Sequence, residues 1–136
     1  MNLYYRIKNT ISGFWYDFRA RCQRFKRGWA YSDVWDMDVW FMRTVKSMLA
    51  HLRDHGIGIS GEFCVGEDGN RIYWENTLTK MISYLELMDE DNAEKYLGIS
   101  DSDYSFESYQ KARDLMEENK DRFFELFSKY YFSLWD

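Results

Sequence analysis

Apolar residues recur along this chain at steps of three and four, the period of a helix face, in four separate stretches. The first covers 3–27. Tyr4, Ile7, Ile11, Phe14, Phe18, Cys22 and Phe25 form its stripe, and Arg6, Arg19, Arg21, Arg24, Lys26 and Arg27 supply its polar surface. Gly28 stands where a C′ residue would stop it, behind a basic last turn that suits the helix dipole. The second covers 33–54, striped by Val34, Met37, Phe41, Val45, Met48 and Leu52. Ser32 or Asp33 is its expected cap, and Asp33 and Asp36 put negative charge in its first turn. The third, 74–88, spaces Trp74, Leu78, Met81, Leu85 and Met88 as an a/d seam. The fourth, 106–135, carries Tyr109, Ala112, Met116, Phe123, Phe127, Tyr130 and Leu134, with a polar dip at Asn119-Lys120. Its last turns are apolar on several faces, so they are expected to be docked in the core or against a second subunit.

Between these stretches the signals change. Residues 56–72 hold five of the eight glycines and read as a loop. Phe63-Cys64-Val65 and Ile72-Tyr73-Trp74 flank a Gly-rich turn, which makes a small β-hairpin over 63–74 an option if it packs on the helices. No phosphate-loop pattern is present. Residues 89–104 read as an acidic, irregular loop with at most one short turn over 92–97. Asp101-Ser102-Asp103 resembles the start of a calcium loop, but Phe106 and Ala112 occupy the positions that need Gly and Glu. The fold class expected is mainly α, about four helices packed as a bundle in one domain over 1–136.

Composition sharpens this. Where average usage would give about seven prolines, there are none, which favours helices. Aromatic residues are 20% of the chain, more than one small core needs, so a homo-oligomer that buries the surplus is expected. Residues 1–30 carry seven Lys/Arg and one acid, Asp17, a balance of +6; residues 31–136 carry eleven Lys/Arg and twenty-two acids, a balance of −11. The simplest consequence is attraction between the halves, ahead of a nucleic-acid surface, which is not the expected partner. The basic first stretch has the make-up of a membrane-surface helix. Packing on its own domain is the expectation, so no membrane partner is predicted. Cys22 and Cys64 belong to no CxxC pair or disulfide framework, which suits a reducing cytoplasm.

Several segments look familiar. RGWAYSDVWDMDVWF spans Arg27 to Phe41, and MLAHLRDHG follows it closely. A later helix begins YWENTLTKM, and the sequence given ends FFELFSKYYFSLWD. In this order they resemble a family of small proteins encoded by tailed bacteriophages and prophages, mostly of Gram-positive hosts. The resemblance implies a phage accessory protein in the host bacterial cytoplasm. It carries no established reaction, and by class such proteins often act against host defence.

The densest chemistry lies between Arg27 and Arg43. Trp29, Tyr31, Trp35 and Trp40 stand among Asp33, Asp36 and Asp38, with Arg27 and Arg43 at the ends. Aromatic faces stack on bases, guanidinium pairs with phosphate, and carboxylates accept from base or ribose donors. These nine residues are the candidate ligand site. The competing expectation is architecture: Asp33 and Asp36 as caps, Asp36 or Asp38 paired with arginines of the first stretch, and Trp35 and Trp40 in the core. His51 and His55 sit at i,i+4 and are weak metal candidates, with Cys64 or Glu62 as possible further ligands. No metal or other cofactor is expected. The leading function is non-enzymatic sequestration of a nucleotide-type signalling ligand of host defence. The alternatives are a protein–protein inhibitor that uses its acidic body against a host defence enzyme, and a metal-dependent enzyme built on His51 and His55.

Overall fold

The computed structural model describes residues 3–57, 69–100 and 105–135. Among them are five α-helices and no strand: α1 (Leu3–Arg27), α2 (Met37–His55), α3 (Gly69–Leu87), α4 (Glu90–Leu97) and α5 (Phe106–Tyr130). Short 3₁₀ turns occupy Tyr31–Val34 and Tyr131–Ser133. The chain divides into two compact units, Met1–Trp40 and Phe41–Asp136.

The first unit is a helix and a corner. α1 ends as its sequence predicts: Gly28 takes φ +79° and its N–H bonds the Arg24 carbonyl at 2.8 Å. A side chain there would be strained, which is why glycine ends helices this way. The 3₁₀ turn then packs back on α1, with Ala30 fully buried.

The second unit holds the core. α3 buries Trp74, Leu78, Met81 and Leu85 of the expected seam, with Ile82 beside them; Met88, just past the helix end, is partly buried against them. α5 adds Phe123 and Tyr130, and α2 adds Leu49. Phe123 has no exposed surface, and its ring meets those of Phe41 at 6.2 Å, Phe124 at 5.1 Å and Phe127 at 5.2 Å. Trp74 packs edge-on against Tyr130 at 5.6 Å. Such offset and edge-to-face geometries suit the ring quadrupoles. The polar dip in α5 is absorbed locally, since buried Asn119 donates its side-chain N–H to the Leu115 carbonyl at 2.8 Å. α5 begins where expected. The Ser105 hydroxyl accepts from the Ser108 N–H at 3.1 Å, and the Ser108 hydroxyl accepts from the Ser105 N–H at 2.7 Å, a reciprocal cap.

Several expectations are corrected. The helix over 33–54 is two elements, the 3₁₀ turn and α2, separated at Trp35 and Asp36; the Asp36 carbonyl takes the first α2 bond, from the Trp40 N–H at 2.9 Å. The third helix starts at Gly69, five residues earlier than Trp74. Ile72-Tyr73-Trp74 is therefore helical, not the second arm of a hairpin over 63–74, and the loop 56–72 ends sooner. The helical seam that begins at Trp74 carries back through one more turn, where Arg71 pairs with Glu75 at 2.8 Å and donates to the Gly56 carbonyl at 2.9 Å. The proposed first arm, 63–65, lies outside the described residues, as does 101–103.

The acidic stretch 89–104 contains α4, a fifth helix with complete stop and start signals. Asp89 accepts the Asn92 N–H at 3.2 Å, Glu90 and Asp91 fill the first turn, and Gly98 ends it at φ +69°. α4 packs against α3 and α5, with Ala93 fully buried. The last helix ends at Tyr130, not 135. Leu134 packs on the core as expected, while Phe132 and Trp135 are exposed on the single chain, so these two rings are not docked in the core. Along the α1 stripe, Phe14, Phe18, Cys22 and Phe25 are exposed.

Replacing Phe123 by Ala is expected to cost about 3–5 kcal/mol, read from urea unfolding, because the ring is fully enclosed. Phe124→Ala should cost clearly less, since that ring is 45% exposed. Equal losses would show that the core is not centred on Phe123.

Candidate functional site

The region from Arg24 to Trp40 folds around one carboxylate. Arg24 and Arg27 lie one turn apart at the end of α1, and Gly28 reverses the chain so that Trp29 to Val34 returns beside them. Arg24 grips Asp33 with both prongs of its guanidinium: Nε to Oδ2 at 3.0 Å, and Nη2 to Oδ1. The Ala30 N–H adds a third bond to Oδ2 at 2.8 Å, and the Asp33 N–H returns one to the Ala30 carbonyl at 3.0 Å. The Asp33 side chain is only 9% exposed. Arg24, and after it the Ala30 N–H, holds the Asp33 carboxyl down to a pKa of about 2. The Asp33 lone pairs are thus used inside the corner.

Arg27 organises the other side. Its Nε donates to the Trp29 carbonyl at 3.0 Å, and its guanidinium lies 3.8 Å from the Trp29 ring centre and 4.2 Å from that of Tyr31. The two rings stand edge-to-face at 6.0 Å. Hydrogen bonding and charge from Arg27 lower the Tyr31 pKa. The Tyr31 N–H is satisfied by the Gln23 side-chain oxygen at 2.9 Å. Arginine is suited to this role because its planar cation stacks on aromatic faces while its N–H groups still donate.

Two hollows adjoin the corner within the first unit. One, of about 230 Å³, is lined by Trp29, Asp33, Val34, Met37 and Trp40. The other, of about 170 Å³, is lined by Tyr16, Arg19, Ala20, Gln23, Tyr31 and Ser32. Of the nine candidate residues, the structure groups Arg27, Trp29 and Tyr31 in the cation–π contact, and Trp29, Asp33 and Trp40 around the larger hollow. Trp35, Asp36 and Asp38 face solvent at the turn between the 3₁₀ segment and α2, so Trp35 is not a core residue. Arg43 is exposed on α2 in the second unit.

The competing expectation that Asp36 or Asp38 pairs with an arginine of the first stretch is corrected for Arg24, whose partner is Asp33; Arg24 is not among the nine candidates. Arg24 carried one usable signal, its place one turn before Arg27 and just inside the Gly28 stop. Val34 and Met37, expected in the stripe of the second helix, line the hollow.

The second unit has a larger groove of about 560 Å³, lined mainly by Val45, Met48, Leu52, Phe127, Leu134 and Trp135, with His51 at its side. His51 and His55 stack with ring centres 4.6 Å apart. Among the described residues no group of three His, Cys, Asp or Glu converges as a metal site, and Glu62 and Cys64 lie outside those residues.

An Asp33 carboxylate acidified by folding stabilises the corner above its ordinary pKa of about 3.9, and that contribution is lost as pH falls through about 2. Asp33→Asn is therefore expected to melt below the parent protein at neutral pH and to converge with it on acidification from about pH 4 to 2. Thermal melts followed by tryptophan emission across that range check this. A gap that stays constant with pH would remove the ion pair from the explanation.

Compared with protein-family models, curated proteins and solved structures, the chain matches none.

Proposed function

We propose that the protein is a binding protein that holds the flat ring of a nucleotide-type ligand in the hollow beside the Arg24–Asp33 corner. The observation that carries this reading is the lining: two indoles, Trp29 and Trp40, and the Met37 thioether meet beside a carboxylate whose bonds are already made. Such a surface rewards stacking and dispersion rather than new ion pairs. At about 230 Å³ the hollow is below the ~300–1,000 Å³ of sites that enclose a drug-sized ligand, so a single ring fits while sugar and phosphates stay outside. Arg27, stacked on Trp29, brings a positive charge beside that wall, which favours a phosphate there. The resemblance to phage accessory proteins makes a signalling nucleotide of the host the natural cargo, and sequestration the natural action.

Calorimetric titration of the protein with a panel of mono-, di- and cyclic nucleotides tests this. At least one should bind, and Trp40→Ala should weaken it by roughly 5- to 150-fold, the worth of one base–aromatic stack. Arg27→Ala should weaken phosphorylated ligands more than the free nucleoside. A panel with no binder, or a Trp40→Ala protein that is folded and binds like the parent, would leave the corner as architecture.

A further inference from the structure

The outer face of α1 remains to be explained. Phe14, Trp15, Phe18 and Phe25 are all more than half exposed, and Phe25 is 93% exposed. At 100° per residue these four side chains fall within one arc of about a quarter-turn or slightly more. The opposite face is the one the protein uses internally: Ala20 is buried, while Gln23, Arg24 and Arg27 bond the returning chain. Trp15 meets Phe14 at 6.4 Å and Phe18 at 6.1 Å, both edge-on, so the rings form a joined apolar patch. Phe25 stands on the same arc about two turns beyond Phe18, about 16 Å along the helix from Phe14. Arg21 borders one side of the arc, and Lys26 and Arg19 border the other.

We propose that α1 is an in-plane anchor that lies on an anionic lipid bilayer, its aromatic arc in the interface and its flanking cations on the headgroups. An apolar face edged by Lys and Arg is the arrangement that suits this position: rings enter the acyl boundary, and long basic side chains reach back to lipid phosphates. Tryptophan favours the same depth, with an apolar body and one N–H donor. Charge selects this occupant over a second copy of the chain, because two such faces would set Arg21, Lys26 and Arg19 against their own kind. Ring geometry selects it over single-stranded nucleic acid. Bases need open, separate ring faces to stack on, and here Trp15 is already engaged edge-to-face with Phe14 and with Phe18. No helix among the described residues is long and apolar enough to cross a membrane, so the contact is with the surface.

Co-sedimentation of the full chain with vesicles tests the proposal. The protein should pellet with vesicles of equal parts phosphatidylcholine and phosphatidylglycerol, stay in solution with pure phosphatidylcholine, and dissociate at high salt. Phe25→Asp, and separately the pair Arg21→Glu and Lys26→Glu, should weaken binding by roughly tenfold or more while melting like the parent. Trp40→Ala should bind vesicles as the parent does, which separates this proposal from the nucleotide reading. Absence of binding to the anionic vesicles overturns it, as does parent-like binding by Phe25→Asp. A marked fall in melting temperature of lipid-free Phe25→Asp would also overturn it, because that ring would then be packed within the protein. So would an oligothymidylate that binds the same face more tightly than the vesicles do.

Discussion

Asp33 accepts two bonds from the Arg24 guanidinium and a third from the Ala30 N–H, and the corner from Arg24 to Val34 is arranged around that carboxylate. The pairing spans nine positions, so it closes only if the chain reverses between the partners, and Gly28 at φ +79° makes the reversal. Once it closes, Asp33 is committed to a tight turn and cannot serve as the ordinary first-turn acid of a longer helix. The break at Trp35 and Asp36, the late start of α2 and the exposure of Trp35 follow from it. Arg27, one turn along α1 from Arg24, is thereby set over Trp29 and Tyr31.

The second unit depends on a different physics. Its centre is apolar, built on Phe123 and the α3 seam, with ion pairs confined to surfaces where they contribute little. Lys46 reaches Glu86 between α2 and α3 at 3.6 Å, and both remain half-exposed. α4 shows how a strongly acidic segment still folds: a cap at one end, a left-handed glycine at the other and one buried alanine face are enough when neighbouring helices receive it.

The aromatic excess has a spatial meaning. Phe41, Phe123, Phe127, Trp74 and Tyr130 serve the core, Trp29 and Tyr31 hold an arginine, and Trp29 with Trp40 lines a hollow. Phe14, Trp15, Phe18 and Phe25 serve none of these and face solvent. Surplus rings on a cationic helix, held by its other face, are what turn the composition into a statement about surfaces.

What could be read from residues alone was what is decided within a turn or two. The period of Phe14, Phe18, Cys22 and Phe25 specifies a helix whether that face ends up buried or bare. Gly28 stops α1, Ser105 starts α5, and Trp74, Leu78, Met81 and Leu85 make a seam. Trp29, Asp33 and Trp40 could be singled out because their types are unusual together, but not whether they bind a ligand or one another. α4 reads as no more than a short turn over 92–97, and the third helix as starting at Trp74, because acidic and glycine-rich composition outweighs the caps and the Arg71–Glu75 pair. The tertiary structure decided the rest: which acid Arg24 takes, that the helix over 33–54 breaks, and which aromatic stripe is covered. Periodicity and capping act through neighbours three or four residues apart. Ion-pair choice and burial are settled by groups distant in sequence, so only the folded chain determines them.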